Sequence, residues 1–311
     1  MSIYANRFSA INHCRQAIEP FDDVILKVRR CPAIGSLRSV NEALGKLTAR
    51  TQTPVNEIAD VISRDLSLTA RLLRLVNSVF GGLTVEITSI EEAIFFLGLR
   101  QIRQMAMTTR IIQEMEAFSD DRIEVDWKSL WRHSIGTAIL TREVLSMTCG
   151  IMEDDTYYIC GLLHDIGKLV MLHVYPRELE QSMQFEEALP DEIARREKET
   201  FGWNHCEIGA LYLEENGLSR DIVEAVLFHH CPEDAPSKQA YASGIQLGDH
   251  LARFGGCSQN FEQVTKIEYG DWENLSGWRI LFSPDRIESQ YARASVLNSI
   301  ERLPSLLHGL L

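Results

Sequence analysis

Along most of the chain, apolar residues return at steps of three and four, the spacing that lines one face of an α-helix. In VNEIADVISRDLSLTARLLRLVNS, Ile58, Val61, Ile62, Leu66, Leu68, Leu72, Leu73, Leu75 and Val76 form two such blocks. Thr53 followed by Pro54 marks the start of the first, since proline suits a first turn whose N–H groups have no helical partner. Asp65 and Ser67 can start the second by accepting exposed backbone N–H groups, and Gly81-Gly82 ends it. In TSIEEAIFFLGLRQIRQMAMTTRIIQEM, Thr88 and Ser89 are candidate caps ahead of a stripe formed by Ile90, Ala93, Ile94, Leu97, Ile102 and Met105. Gly98 divides this stretch into two helices.

A polar, acidic interval from Ser119 to Asp126 follows, and a junction between two parts is expected near residue 125. Beyond it, WKSLWRHSIGTAILTREVLSM, DTYYICGLLHDIGKLVMLHV, HCEIGALYLEENG, SRDIVEAVLFHH and YASGIQLGDHLARFG again read as helices. Gly217 is placed to stop one and Ser219 to start the next. No strand-like alternation competes, so the fold class is all-α. The expected divisions are an amino-terminal extension over 1–19, helical subdomains over 20–125 and 126–255, and a carboxy-terminal extension over 256–311. That last stretch has mixed signals before a terminal helix through SQYARASVLNSIERL.

Composition narrows the possibilities. The 311 residues are 45% hydrophobic and 24% charged, as in ordinary folded proteins. A formal charge of -13 opposes broad binding to nucleic acid or to anionic membranes. It leaves room for a phosphorylated small molecule, because bound divalent cations reverse the potential inside a pocket. The seven cysteines are odd in number and lack a C-x-x-C pair, which favours reduced, structural thiols. The start, MSIYANRFSAINHCRQ, lacks a signal pattern, and no apolar run approaches the ~20 residues of a membrane span. These features point to a cytoplasmic protein without membrane contact.

The candidate chemistry lies in His133, the pair His164-Asp165, His205, the pair His229-His230, and Asp249. Taken alone, His133 reads more simply as a hydrogen-bonded core residue. Together these residues supply imidazole nitrogen and carboxylate oxygen, a donor mixture that suits iron, manganese, zinc, cobalt or nickel. Adjacent residues of one helix point about 100° apart, so His164 and Asp165 can both serve a metal beside that helix. Gly161 and Gly167 are costly inside a helix, which suggests close packing there. Lys168, placed near the end of its expected helix, can simply complement the helix dipole. His13, His173, His250 and His308 read as structural or exposed, and Asn77-Ser78 as a helix end.

GLLHDIGKL resembles the motif of the HD superfamily of metal-dependent phosphohydrolases. RDLSLTARLLRLVNSVFGG with ITSIEEAIFFLGLRQIRQMAM resembles the first half of HDOD domains, the HD-related output domains of bacterial signalling. NHCEIGALYLEENGLSRDIVEAVLFHHCP resembles their later half, so the likeness covers about residues 20 to 255. It implies an HD-type helical bundle preceded by an HDOD-type amino-terminal helical subdomain. Many HDOD domains have lost the HD ligands, whereas this chain keeps them in the order found in the more distantly similar HD-GYP phosphodiesterases.

That resemblance implies a binuclear transition-metal site, with iron or manganese first among the candidates. One ion would take His133, His164, Asp165 and Asp249; the other would take Asp165, His205, His229 and His230. Asp165 and Lys168 would be catalytic, with Lys168 assisting at phosphate. Ser129 stands where some relatives have a further glutamate ligand, so two ions are expected rather than three. Cys231-Pro232-Glu233-Asp234-Ala235-Pro236 follows the histidine pair in place of a Gly-Tyr-Pro element, which speaks against specificity for cyclic di-GMP. The expected function is signalling through a bound phosphorylated small molecule or nucleotide, with hydrolysis left open. The alternative is a non-catalytic module with structural metals that docks on a signalling protein.

Overall fold

Ser89 and Glu92 form a reciprocal cap: the Ser89 hydroxyl accepts the Glu92 N–H, and the Glu92 carboxylate accepts the Ser89 N–H. They start α1, Ile90–Leu97, which ends where Gly98 adopts φ +81° and donates its N–H to Ile94 O. α2, Leu99–Met115, follows at once. The expected division at Gly98 is therefore present, and its cause is a backbone conformation that L side chains rarely adopt.

The computed structural model describes residues 21–32, 87–115, 118, 123–150, 155–259, 261–282 and 287–308, with Ala59, Ile62, Ser63, Thr69, Ala70, Leu72, Leu73 and Asn77. The caps expected at Pro54, Asp65 and Ser67, the Gly81-Gly82 stop, the extension over 1–19 with His13, and residues 119–122 of the acidic interval lie outside the described residues. The Asn77 amide donates to Leu73 O and exchanges two hydrogen bonds with the Ile87 backbone, each 2.8 Å, while Ser78 lies outside the described residues.

The described residues are predominantly helical, with no strand among them and one isolated parallel bridge between Ala188 and Val264. Upstream of α1 lies a further helix, Phe21–Val28. Downstream of α2, Asp126 caps α3, Trp127–Thr148, by accepting the Ser129 N–H at 3.1 Å. Then come α4, Thr156–Leu163; α5, Ile166–Val174; α6, Pro176–Ser182; and α7, Pro190–Phe201. They are followed by α8, His205–Glu215; α9, Arg220–Leu227; α10, Gln239–Phe254; α11, Ser276–Leu281; and α12, Ile287–His308. Gly217 has φ +74°, and Ser219 caps α9 through the Ile222 N–H, as the sequence led us to expect.

Two hydrophobic cores organise these helices. The smaller joins Ala59, Ile62, Leu72, Ile87, Ile90, Ala93, Ile94, Ile102, Met105 and Ala106. The larger runs from Val24 and Val28 through Met107 and Ile111 to the buried residues of α3 to α5, α8 to α10 and α12. Residues beyond 255 belong to it: Cys257, Phe261, Trp272, Trp278, Val296 and Leu303 are all buried there. α3 is the central rod, packed against α4, α10 and α12. Close approach depends on small residues. A Cβ on Gly161 would lie 2.7 Å from Ala138 Cα, and one on Gly248 would lie 2.9 Å from Thr137 O, so glycines let α4 and α10 press against the α3 backbone.

Candidate metal centre

α3 carries His133 on its buried side, and α10 brings Asp249 to it: His133 Nε2 is 3.1 Å from Asp249 Oδ1. His164 and Asp165 occupy the break between α4 and α5 rather than the middle of one helix. The expectation of a single helix presenting both is corrected on that point. Asp165, at φ -100° and ψ 15°, leaves the helical path and sends its carboxylate inward. His205 is the first residue of α8, held there by the reciprocal cap of Asn204 and Glu207. His229 and His230 follow the end of α9. His133, His164, His205, His229 and Asp249 are 0% exposed and Asp165 is 4% exposed, whereas His230 keeps some solvent contact.

These side chains form two groups. His133, His164 and Asp249 place ligand atoms within 4.8 Å of one another, and so do His205, Cys206, His229 and His230. Asp165 lies between them. Its Oδ2 is 3.2 Å from His164 Nε2, while its Oδ1 is 3.3 Å from His205 Nε2 and 3.9 Å from His229 Nε2. All seven sequence candidates thus converge, and Cys206 adds a sulfur that was read as structural.

The outer nitrogens explain the orientation. Nδ1 of His133 faces Cys257 O at 2.8 Å, that of His164 faces Gly161 O at 2.9 Å, and that of His229 faces Val226 O at 2.7 Å. Nδ1 of His205 meets Glu197 Oε2 at 2.6 Å. Carbonyls and carboxylates accept, so each Nδ1 carries a proton and each ring turns its Nε2 inward. His133 Nε2 and His164 Nε2 then face each other at 3.3 Å. Asp165 Oδ1, His229 Nε2 and Asp249 Oδ2 are buried without a hydrogen bond. Buried acceptors aimed at one another call for a cation between them, so the donor set fits divalent metals.

Electrostatics point the same way. Burial would raise the Asp165 carboxyl, but His164, Lys168 and His205 outweigh it and hold the group well below the carboxylate range. Asp249 is likewise held low against burial by Arg253 and His133. Burial, helped by His164 and His205, drives His229 down to about 3. Burial also opposes charge on His164, yet Asp165 prevails and raises it, so the pocket draws positive charge to that ring. Ionised Asp165 and Asp249 beside a neutral His229 are protonation states that ligation requires, and a cation would answer the negative charge now felt at His164.

Lys168 corrects a second expectation. It sits in the first turn of α5, where a cation opposes the helix dipole, so the end-of-helix role assigned to it does not apply. Its ammonium is buried and donates to Asp165 Oδ2 at 2.9 Å and Glu262 Oε2 at 2.7 Å. Arg253 donates to Asp249 Oδ1 at 2.8 Å and also pairs with Glu262, while Gln259 donates to Asp165 Oδ2.

Glu197, Arg253, Gln259 and Glu262 were not singled out from the sequence. Arg253 had a signal, since it stands four residues after Asp249 on one helix. Glu197 is an outer partner whose loss should be measurable. Glu197→Gln should weaken metal retention about 10- to 100-fold, as for other outer partners of metal-binding histidines. Competition with a chelator checks this, and unchanged retention would contradict the role.

The model of the HDOD domain matches residues 34–232. An HDOD domain protein of unknown function from Geobacter sulfurreducens superposes with a TM-score of 0.69 at 22% identity, covering 98% of each chain. A protein from Shewanella amazonensis SB2B, provisionally named a phosphohydrolase, gives 0.59 at 18% identity over 92% of this chain and 96% of its own. An uncharacterized protein of Treponema pallidum (strain Nichols) is 26% identical over 215 residues, 68% of this chain but 40% of that protein's length. The solved structures share the all-helical fold, and the matched domain spans most of the chain. The chain belongs to the HDOD family.

Proposed function

We propose that this protein holds two divalent transition-metal ions and uses them to bind a phosphorylated small molecule or nucleotide within bacterial-type signal transduction. One ion would be held by His133, His164, Asp165 and Asp249, and the other by Asp165, His205, His229 and His230. The observation that carries this reading is the inward convergence of histidine Nε2 atoms on the two oxygens of Asp165. Nitrogen and oxygen donors fit iron or manganese best, with zinc, nickel and cobalt as alternatives. Bound there, such ions supply Lewis acidity toward phosphate oxygens. Lys168 places its ammonium against Asp165, where it can meet negative charge on a ligand.

Hydrolysis is the finer form of the proposal. Metal-reconstituted protein screened against phosphomonoesters and cyclic dinucleotides should show metal-dependent turnover that His164→Ala lowers by about 100-fold or more. Metal retained with no turnover on any substrate would favour a second reading, a non-catalytic module with structural metals. One feature supports that reading: Phe95 and Phe96 on α1 are 84% and 50% exposed, ring against ring at 5.6 Å, as on a face that docks a signalling protein. Protein without stoichiometric metal would overturn both. Among the described residues no helix is long and apolar enough to cross a membrane.

A further inference from the structure

Glu262 lies beyond the matched HDOD segment, and neither of its oxygens is left to solvent. Oε2 accepts from Lys168 at 2.7 Å, and Oε1 pairs with Arg253 Nη2, with the Gln259 amide 3.4 Å away. The same two cations touch the carboxylates at the centre: Lys168 reaches Asp165 Oδ2 at 2.9 Å and Arg253 reaches Asp249 Oδ1 at 2.8 Å. Glu262 is therefore an anion bound by a lysine and an arginine immediately beside the two histidine groups. All three side chains are 3% exposed or less.

Two observations separate this arrangement from a simple structural ion pair. Arg253 Nη1 is a buried donor with no hydrogen-bond partner, so the pocket holds donor capacity that a flat, two-oxygen carboxylate does not use. Arginine and lysine donors that converge on an acidic group also suit phosphate, whose oxygens offer more acceptors in a tetrahedral array. Further, Glu262 is not on a helix. It lies in the strap between α10 and the turn at 271, tied at one end by Cys257 O to His133 and at the other by a bridge to Ala188. The Ala188 bonds measure 3.3 Å to Gln263 O and 3.0 Å from Thr265 N. Apart from these ties and the buried Phe261 beside it, the segment carries no helical hydrogen bonds, so it can open locally without unfolding the helices around it.

We propose that Lys168, Arg253 and Gln259 form an oxyanion subsite and that Glu262 fills it as an internal substitute for a ligand phosphate, so that the strap regulates entry. This rests on the phosphorylated-ligand reading above and adds where the phosphate sits and what must move to admit it. An entering phosphate replaces the charge that Glu262 removes, which leaves Lys168 and Arg253 paired in both states.

The test is binding of inorganic phosphate to the full chain by calorimetry, with and without metal, for the natural protein and for Glu262→Gln. The variant should bind phosphate at least about tenfold more tightly, because the competing carboxylate charge is gone while the side chain keeps its size. In the natural protein, saturating phosphate should speed amide hydrogen exchange across residues 261–267 as the strap is displaced. Equal phosphate affinity in the two proteins would overturn the proposal. So would strap exchange that stays the same or slows with phosphate, a readout that needs no variant. Metal content of the same samples separates the two levels. Loss of metal would defeat the binuclear reading while the metal-free comparison still decides the subsite, whereas retained metal with unchanged phosphate affinity would defeat the subsite alone.

Discussion

Gly167→Ala should lower folding stability by about 3 kcal/mol or more, the upper end of what overpacking costs. The reason is backbone against backbone. A Cβ on Gly167 would penetrate His205 O and lie 2.7 Å from His205 C and 2.8 Å from Gly209 N. A Cβ on Gly209 would meet Gly167 N at 2.9 Å in return, so α5 and α8 touch through two glycines. A flexible side chain could swing aside, but a carbonyl at a helix start cannot. α8 would have to shift as a body, taking His205 away from Asp165 Oδ1, now 3.3 Å from its Nε2. Urea unfolding of metal-free protein measures the stability, and metal retention measures the displaced histidine. A variant within about 0.5 kcal/mol of the natural protein, the range of inconsequential surface changes, would contradict this packing.

If two ions are held as proposed, Asp165→Asn should remove both, each weakened by more than about 100-fold, since losing a direct ligand exceeds the 10- to 100-fold cost of losing an outer partner. Asparagine keeps the size and one acceptor oxygen, and Lys168 keeps Glu262 as counter-ion, so the fold should survive. What disappears is a carboxylate whose two oxygens face different histidine groups. Asp249→Asn makes the contrast. Asp249 belongs to the group with His133 and His164 and not to the group with His205 and His229, so that variant should lose one ion and keep the other. Elemental analysis of both variants decides the matter. If Asp165→Asn lost only one ion, Asp165 would not be shared between two.

The helices were legible because local chemistry and periodicity agree at their ends. Ser89 with Glu92, Gly98, and Gly217 with Ser219 each satisfy backbone groups that a helix end leaves open. The converging histidines were legible from residue type and family resemblance together. What escaped notice was set by tertiary position. The apolar stripe runs unbroken through Leu163, Ile166 and Leu169, which conceals the break at Asp165 and moved Lys168 to the wrong end of a helix. Glu197 lies in a run of charged residues with no adjacent apolar residue to mark it, yet it is 1% exposed. Gln259 and Glu262 occupy a stretch with no periodicity, so nothing local announces that it folds back over the centre. Residues 256 onward were read as an extension, but their buried aromatics join the main core.

α2 belongs to both cores: Ile102, Met105 and Ala106 serve the smaller, and Met107, Ile111, Ile112 and Met115 serve the larger. Its polar residues also bind the centre's scaffold, with Gln104 donating to Asp155 and accepting from Arg142, and Thr108 bonded to Tyr158. Within α2 no break separates the residues that serve the two cores. Melting of either half therefore strips the other of part of its interior, and the protein should lose both in one cooperative transition.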